Sequence, residues 1–164
     1  MPVAWACAEP DAFPSYLLLV LVVVAIITDY FDGKVARHMN TVSAAGMLFD
    51  HGTDFLFVTS ALFAASYTGL VNPWLPILIV LAFSQYVLDS YWLLRQKKLR
   101  MSMLGRWNGV FYFLPLVLIG FLQLELLNNW SEALGSLIML LSIVLLVSTL
   151  ASIVDRAIAP LRTR

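Results

Sequence analysis

The chain has 164 residues, 61% of them hydrophobic and 12% charged, with a net charge of zero and a mean hydropathy of +0.87. So much apolar surface cannot be hidden in a soluble core of this size, which makes a membrane the natural solvent. The neutral balance and the lack of a long basic run exclude a general nucleic-acid binder, and Cys7, the single cysteine, excludes an internal disulfide or a multi-cysteine metal site.

Five apolar segments follow in chain order, at 14–33, 44–67, 73–94, 107–124 and 133–154. Each supplies the roughly 20 helical residues that cross a bilayer about 30 Å thick. None alternates as a barrel strand would. The expected fold is all-α: one membrane-embedded domain over 1–164, a polytopic transmembrane helix bundle with five spans. Gly69, Asn72 and Pro73 separate the second span from the third, and the stretch QLELLNNWSE separates the fourth from the fifth. No basic region precedes the first apolar run and no small-residue cleavage site follows it, so 14–33 reads as a retained span.

Charge sets the direction. All ten lysines and arginines fall in three places: Lys34 and Arg37; Arg95, Lys97, Lys98, Arg100 and Arg106; and Arg156, Arg162 and Arg164. These are alternate connections plus the C-terminus, so the positive-inside rule puts them in the cytoplasm. Glu9, Asp11, Glu125 and Glu132 mark the opposite side. An outside N-terminus and an inside C-terminus, in the cytoplasmic membrane, satisfy every connection.

Acidic residues cluster at the inner ends of the first two spans. Asp29 and Asp32 are three apart, and Asp50 and Asp54 four apart, so each pair shares a helix face. The short link brings both pairs to one depth, where four carboxylates would repel one another and burying one unpaired is costly. A divalent cation resolves that conflict, and oxygen donors suit Mg²⁺, Mn²⁺ or Ca²⁺ better than zinc. Gly33, Ala36 and Gly46 are small enough for a ligand or helix to approach the backbone, and Arg37 has the forked geometry that pairs with phosphate. Taken singly, these residues read as packing devices or a topology determinant. Together they describe a pyrophosphate site.

Asp29, Asp32-Gly33, Ala36-Arg37, Gly46, Asp50 and Asp54, at this spacing across 29–54, resemble the signature of the CDP-alcohol phosphatidyltransferases. The resemblance implies transfer of a phosphoalcohol group, typically phosphatidyl, from a CDP-linked donor such as CDP-diacylglycerol to an acceptor hydroxyl, releasing CMP in phospholipid biosynthesis. It implies Mg²⁺ or Mn²⁺ as cofactor. Asp29, Asp32 and Asp50 would be metal ligands, and Asp54 would serve a second metal position and act as general base. Asp29 and Asp32 would also face the CDP group. Gly33 and Ala36 would border the cytidine nucleotide, Arg37 would contact its phosphates, and Gly46 would keep the pocket open. Homodimers are common in such a family. Its members commonly have six transmembrane helices, with the signature joining the second and third. The expected first helix has no counterpart in the five spans, so either this is a short variant or the sequence starts downstream of the true beginning.

Other residues carry weaker signals. Asp89 lies about four residues inside the third span from Arg95 and either faces the cavity to position the acceptor or partners a nearby base. Arg106 opens the fourth span beside the expected site and is the choice for an acceptor-phosphate contact. His38 and His51 flank the aspartates and are expected to play supporting or surface roles, and Asp155 with Arg156 reads as a structural pair. The acceptor alcohol, and whether the donor is a lipid or a soluble CDP-alcohol, stay open. Two alternatives stand beside the enzyme: a catalytically impaired member that binds CDP-lipid, and a divalent-cation carrier, which leaves Gly33, Ala36, Arg37 and Gly46 unexplained.

Overall fold

The computed structural model describes residues 2–39, 44–88, 103–124 and 129–158, and every regular element among them is helical. The helices are α1 (Pro2–Ala8), α2 (Leu17–His38), α3 (Ala44–Tyr67), α4 (Trp74–Leu88), α5 (Met103–Phe111), α6 (Phe113–Leu122) and α7 (Ser131–Ile158), with a 3₁₀ turn at Pro10–Ala12. Local chemistry explains the boundaries. Gly69 takes φ = 76°, a left-handed conformation that suits glycine, and ends the connection after α3. Asn72 then caps α4: its Oδ1 accepts from the Trp74 N–H at 3.0 Å, and Pro73 occupies the first helical turn, where a missing N–H does no harm.

The expected fourth span is present but broken. Pro115 has no N–H to give the carbonyl of Phe111 and its ring crowds that carbonyl, so the helix divides into α5 and α6 at Tyr112. Tyr112 N–H still reaches the Asn108 carbonyl at 2.9 Å, which keeps the two pieces nearly continuous.

Two of the five expected crossings are long and apolar enough by themselves, Met103–Leu122 and Ser131–Ile158, and Trp74–Leu88 is a shorter apolar helix. Among the described residues two candidate spans and a shorter apolar helix are seen, and the expected five are not all confirmed. In α2 and α3 the aspartates take up helical length that would otherwise be apolar, and the rest of the third span, 89–94, lies outside the described residues. Polarity is nonetheless distributed as lipid demands. On α7, Ser142, Thr149 and Ser152 point inward and are buried, whereas Leu140, Val144, Val147 and Val154 are exposed. Serine and threonine hydroxyls elsewhere donate back to carbonyls of their own helices, as Thr28 does to Val24 at 2.8 Å.

α1 is an element the sequence did not signal. Its seven residues are too few for a readable period, yet Val3, Ala6 and Cys7 are buried in one core with Ala61, Leu62 and Ala65 of α3. Trp5 meets Phe13 edge-on at 5.2 Å, and Gln123 Nε2 donates to the Ala6 carbonyl at 3.1 Å. Burial also pushes the Cys7 thiol up to about 12 from its ordinary 9.0. The unfolded thiol ionises first, so this contribution to stability is complete below pH 9.0 and is lost as pH rises toward 12. Maleimide at neutral pH is expected to leave Cys7 unmodified in folded protein and label it fully after denaturation, as read by mass spectrometry.

Gly120 sets the approach of α6 to α2. A Cβ there would lie 3.0 Å from Leu19 Cα and Cβ and 3.1 Å from its nitrogen, all on or next to backbone. Gly120→Val is expected to cost about 1–3 kcal/mol by forcing the two helices apart. A lowered thermal midpoint in detergent checks this.

Candidate active site

Six helices contribute walls to a cavity of about 380 Å³. Asp29 comes from the inner end of α2, and Asp50, His51 and Asp54 from the first turns of α3. Phe83 and Tyr86 come from the end of α4, Arg106 from α5 and Arg156 from the last turns of α7. Helical geometry makes this convergence natural. Asp50 and Asp54, four apart, stack on one face of α3. Asp29 and Asp32, three apart, differ by about 60° around the α2 axis, enough to leave Asp29 at the cavity while Asp32 is exposed outside its lining.

Acidic and basic side chains line the same space. Asp54 is within electrostatic reach of Asp29 and Asp50, and Asp29 in turn of Asp50, His51 and Asp32. The Arg156 guanidinium lies 5.2 Å from the centre of the Tyr86 ring, and the His51 ring meets Tyr86 at 6.3 Å. Phe55 and Phe83 stack at 4.2 Å with only 7° between planes, fixing α3 against α4 beside the acidic wall.

The basic wall is braced by a polar seam. Tyr112 and Thr149 hydroxyls share a 2.7 Å hydrogen bond, and Ser148 Oγ donates to Asn108 Oδ1 at 2.7 Å. These bonds hold α5 on α7 and thus fix the separation of Arg106 from Arg156. Gln85 Nε2 donates to the Ile153 carbonyl at 3.3 Å and ties α4 to the same end of α7.

The sequence profile of the CDP-alcohol phosphatidyltransferases matches residues 1–154, nearly the whole chain. The protein belongs to the CDP-alcohol phosphatidyltransferase family. It is also similar to a cardiolipin synthase (CMP-forming) from Streptomyces coelicolor, 34% identical over 82 residues, which are 50% of this chain and 37% of that protein. The chain therefore spans well under half the length of that curated relative in the matched region. No solved structure matches.

In this family member the structure brings together Asp29, Asp50, Asp54 and Arg106 of the expected residues. Asp32, Gly33 and Gly46 lie on α2 and α3 but are not part of the cavity lining. Ala36 and Arg37 belong to α2, with side chains outside the described set, and Asp89 lies outside the described residues. Three lining residues exceed the sequence reading: His51, Tyr86 and Arg156. Arg156 was legible only as a base on the same side as Arg106, since its neighbour Asp155 suggested local pairing.

The donor chemistry fits a hard divalent cation, because Asp29, Asp50 and Asp54 offer carboxylate oxygens to one cavity. Their spacing does not show a closed cage: among the described residues no three acidic, histidine or cysteine side chains stand close enough to share a metal. Of the expected four-aspartate clamp, Asp29, Asp50 and Asp54 line the cavity and Asp32 is exposed outside it.

Proposed function

We propose that the protein transfers a phosphatidyl group from CDP-diacylglycerol to the hydroxyl of an acceptor alcohol and releases CMP in phospholipid biosynthesis. One observation carries this reading: three signature carboxylates and two arginines line the same cavity. Support for CMP as the leaving group comes from the family and from the CMP-forming relative.

Asp54 accepts the proton of the acceptor hydroxyl as that oxygen attacks the phosphorus distal to cytidine. The bond from that phosphorus to the oxygen shared with CMP breaks, and CMP leaves with the electron pair. Arg106 and Arg156 donate guanidinium N–H bonds to phosphate oxygens. Two such groups favour an acceptor that carries a phosphate of its own. Asp29, Asp50 and Asp54 would have to draw together to hold Mg²⁺ or Mn²⁺, which would supply neutralisation of phosphate charge when bound. Tyr112 and Asn108 hold the basic wall in place, and the aromatic pair Phe55–Phe83 keeps water from the acidic one.

The charge pattern supports a cytoplasm-facing site, with the N-terminus outside and the C-terminus inside. A lipid donor then reaches the cavity from the bilayer and a polar acceptor from the cytosol. The test is the full chain in detergent or liposomes with Mg²⁺, CDP-diacylglycerol and separate acceptors: glycerol 3-phosphate, serine or an inositol phosphate. CMP release with one acceptor is the expected result. No CMP from any pair overturns the reading.

A further inference from the structure

Tyr86 is a buried polar residue that nothing in the phosphotransfer scheme uses. It lines the cavity at 4% exposure, together with Asp29, Asp50 and Asp54. Its ring is held on three sides: Arg156 over one face at 5.2 Å, His51 at 6.3 Å and Phe83 at 5.9 Å. Its hydroxyl, closed off from solvent, has no hydrogen-bond partner among the described residues. Phenylalanine would satisfy every one of these ring contacts without leaving an orphan. An unmade bond on a buried hydroxyl is a loss that no bulk water offsets at membrane depth. The neighbours narrow what can make it. Arg156 stacks on the same ring and Arg106 shares the wall, so an oxygen arriving there arrives in a cationic setting, and a phosphate ester is the ligand chemistry it suits.

We infer that Tyr86 is a substrate-binding residue whose phenolic O–H donates to a phosphate oxygen of the ligand that fills the cavity beside Arg156. The inference rests on the phosphotransfer reading for the identity of that ligand. The phosphate has two possible sources, the pyrophosphate of the donor and a phosphomonoester on the acceptor.

Tyr86→Phe removes the hydroxyl alone. In the full chain in detergent, calorimetric binding of CDP and of glycerol 3-phosphate is measured separately for wild type and variant, with thermal midpoints alongside. The variant is expected to bind one of the two about 10- to 100-fold more weakly, as loss of a bond to a charged group does. Weakened CDP binding assigns the hydroxyl to the donor, and weakened glycerol 3-phosphate binding assigns it to the acceptor. The thermal midpoint without ligand is expected to stay level or rise, which a purely structural hydroxyl would not allow. In turnover the corresponding KM rises by a similar factor with kcat within a few-fold of wild type. Equal binding of both probes by variant and wild type, or no binding of either by wild type, overturns the inference. The phosphotransfer reading is judged separately, by whether wild type releases CMP at all.

Discussion

Asp54→Asn is expected to lower kcat by about 10²- to 10⁴-fold while CDP binds with little change. Asparagine keeps the size of the side chain and its place on α3, four residues after Asp50, but cannot take a proton from an attacking hydroxyl. The Phe55–Phe83 stack beside it is untouched, so the wall should keep its shape. Two measurements separate the roles: the rate of CMP release under saturating donor, and calorimetric affinity for CDP. Wild-type turnover in the variant would remove Asp54 from proton transfer. Loss of CDP affinity with little change in kcat would make it a binding group instead.

Asp50→Asn is expected to weaken Mn²⁺ binding by roughly 100-fold or more, since affinity at oxygen-donor sites follows the charge of the ligands. Asp50 is one of three carboxylates within electrostatic reach of one another, the others being Asp29 and Asp54. Neutralising it relieves its repulsion with those two and removes one charged donor, so metal affinity and apo stability should move in opposite directions. Titration of the full chain with Mn²⁺, followed by electron paramagnetic resonance, reads the first quantity without any need for turnover. Unchanged Mn²⁺ affinity would place the cation elsewhere. The same titration on Asp32→Asn tells whether the exposed fourth carboxylate turns in when metal is present.

Much of this site was legible before any coordinates. Helical periodicity places Asp50 and Asp54 on one face, and the distribution of lysine and arginine places Arg106 and Arg156 on the same side of the membrane as the aspartates. The helices at 44–67 and near 14–33, 73–94 and 133–154 follow from their apolar runs. What could not be read is tertiary. Spacing alone does not say which member of an i, i+3 pair faces inward, so Asp29 and Asp32 looked equivalent. Tyr86 sits in an apolar run that any lipid-facing helix would show, and only the approach of α7 to α4 brings Arg156 over its ring. The break at Tyr112 was marked by Pro115, but proline is tolerated within membrane helices often enough that the run read as continuous. α1 left no periodic trace because its burial depends on the shape of α3 and not on its own pattern.

That shelf of N-terminal residues gives the protein a lever. α3 is a single rod with Asp54 near its middle and Ala65, in one core with α1, about 16 Å along it. Trimming Val3 or Ala6 would free the far arm, and any swing there is delivered to the carboxylates at the near one. An affinity handle fused ahead of Pro2 can thus alter kcat from a distance at which it touches nothing in the cavity.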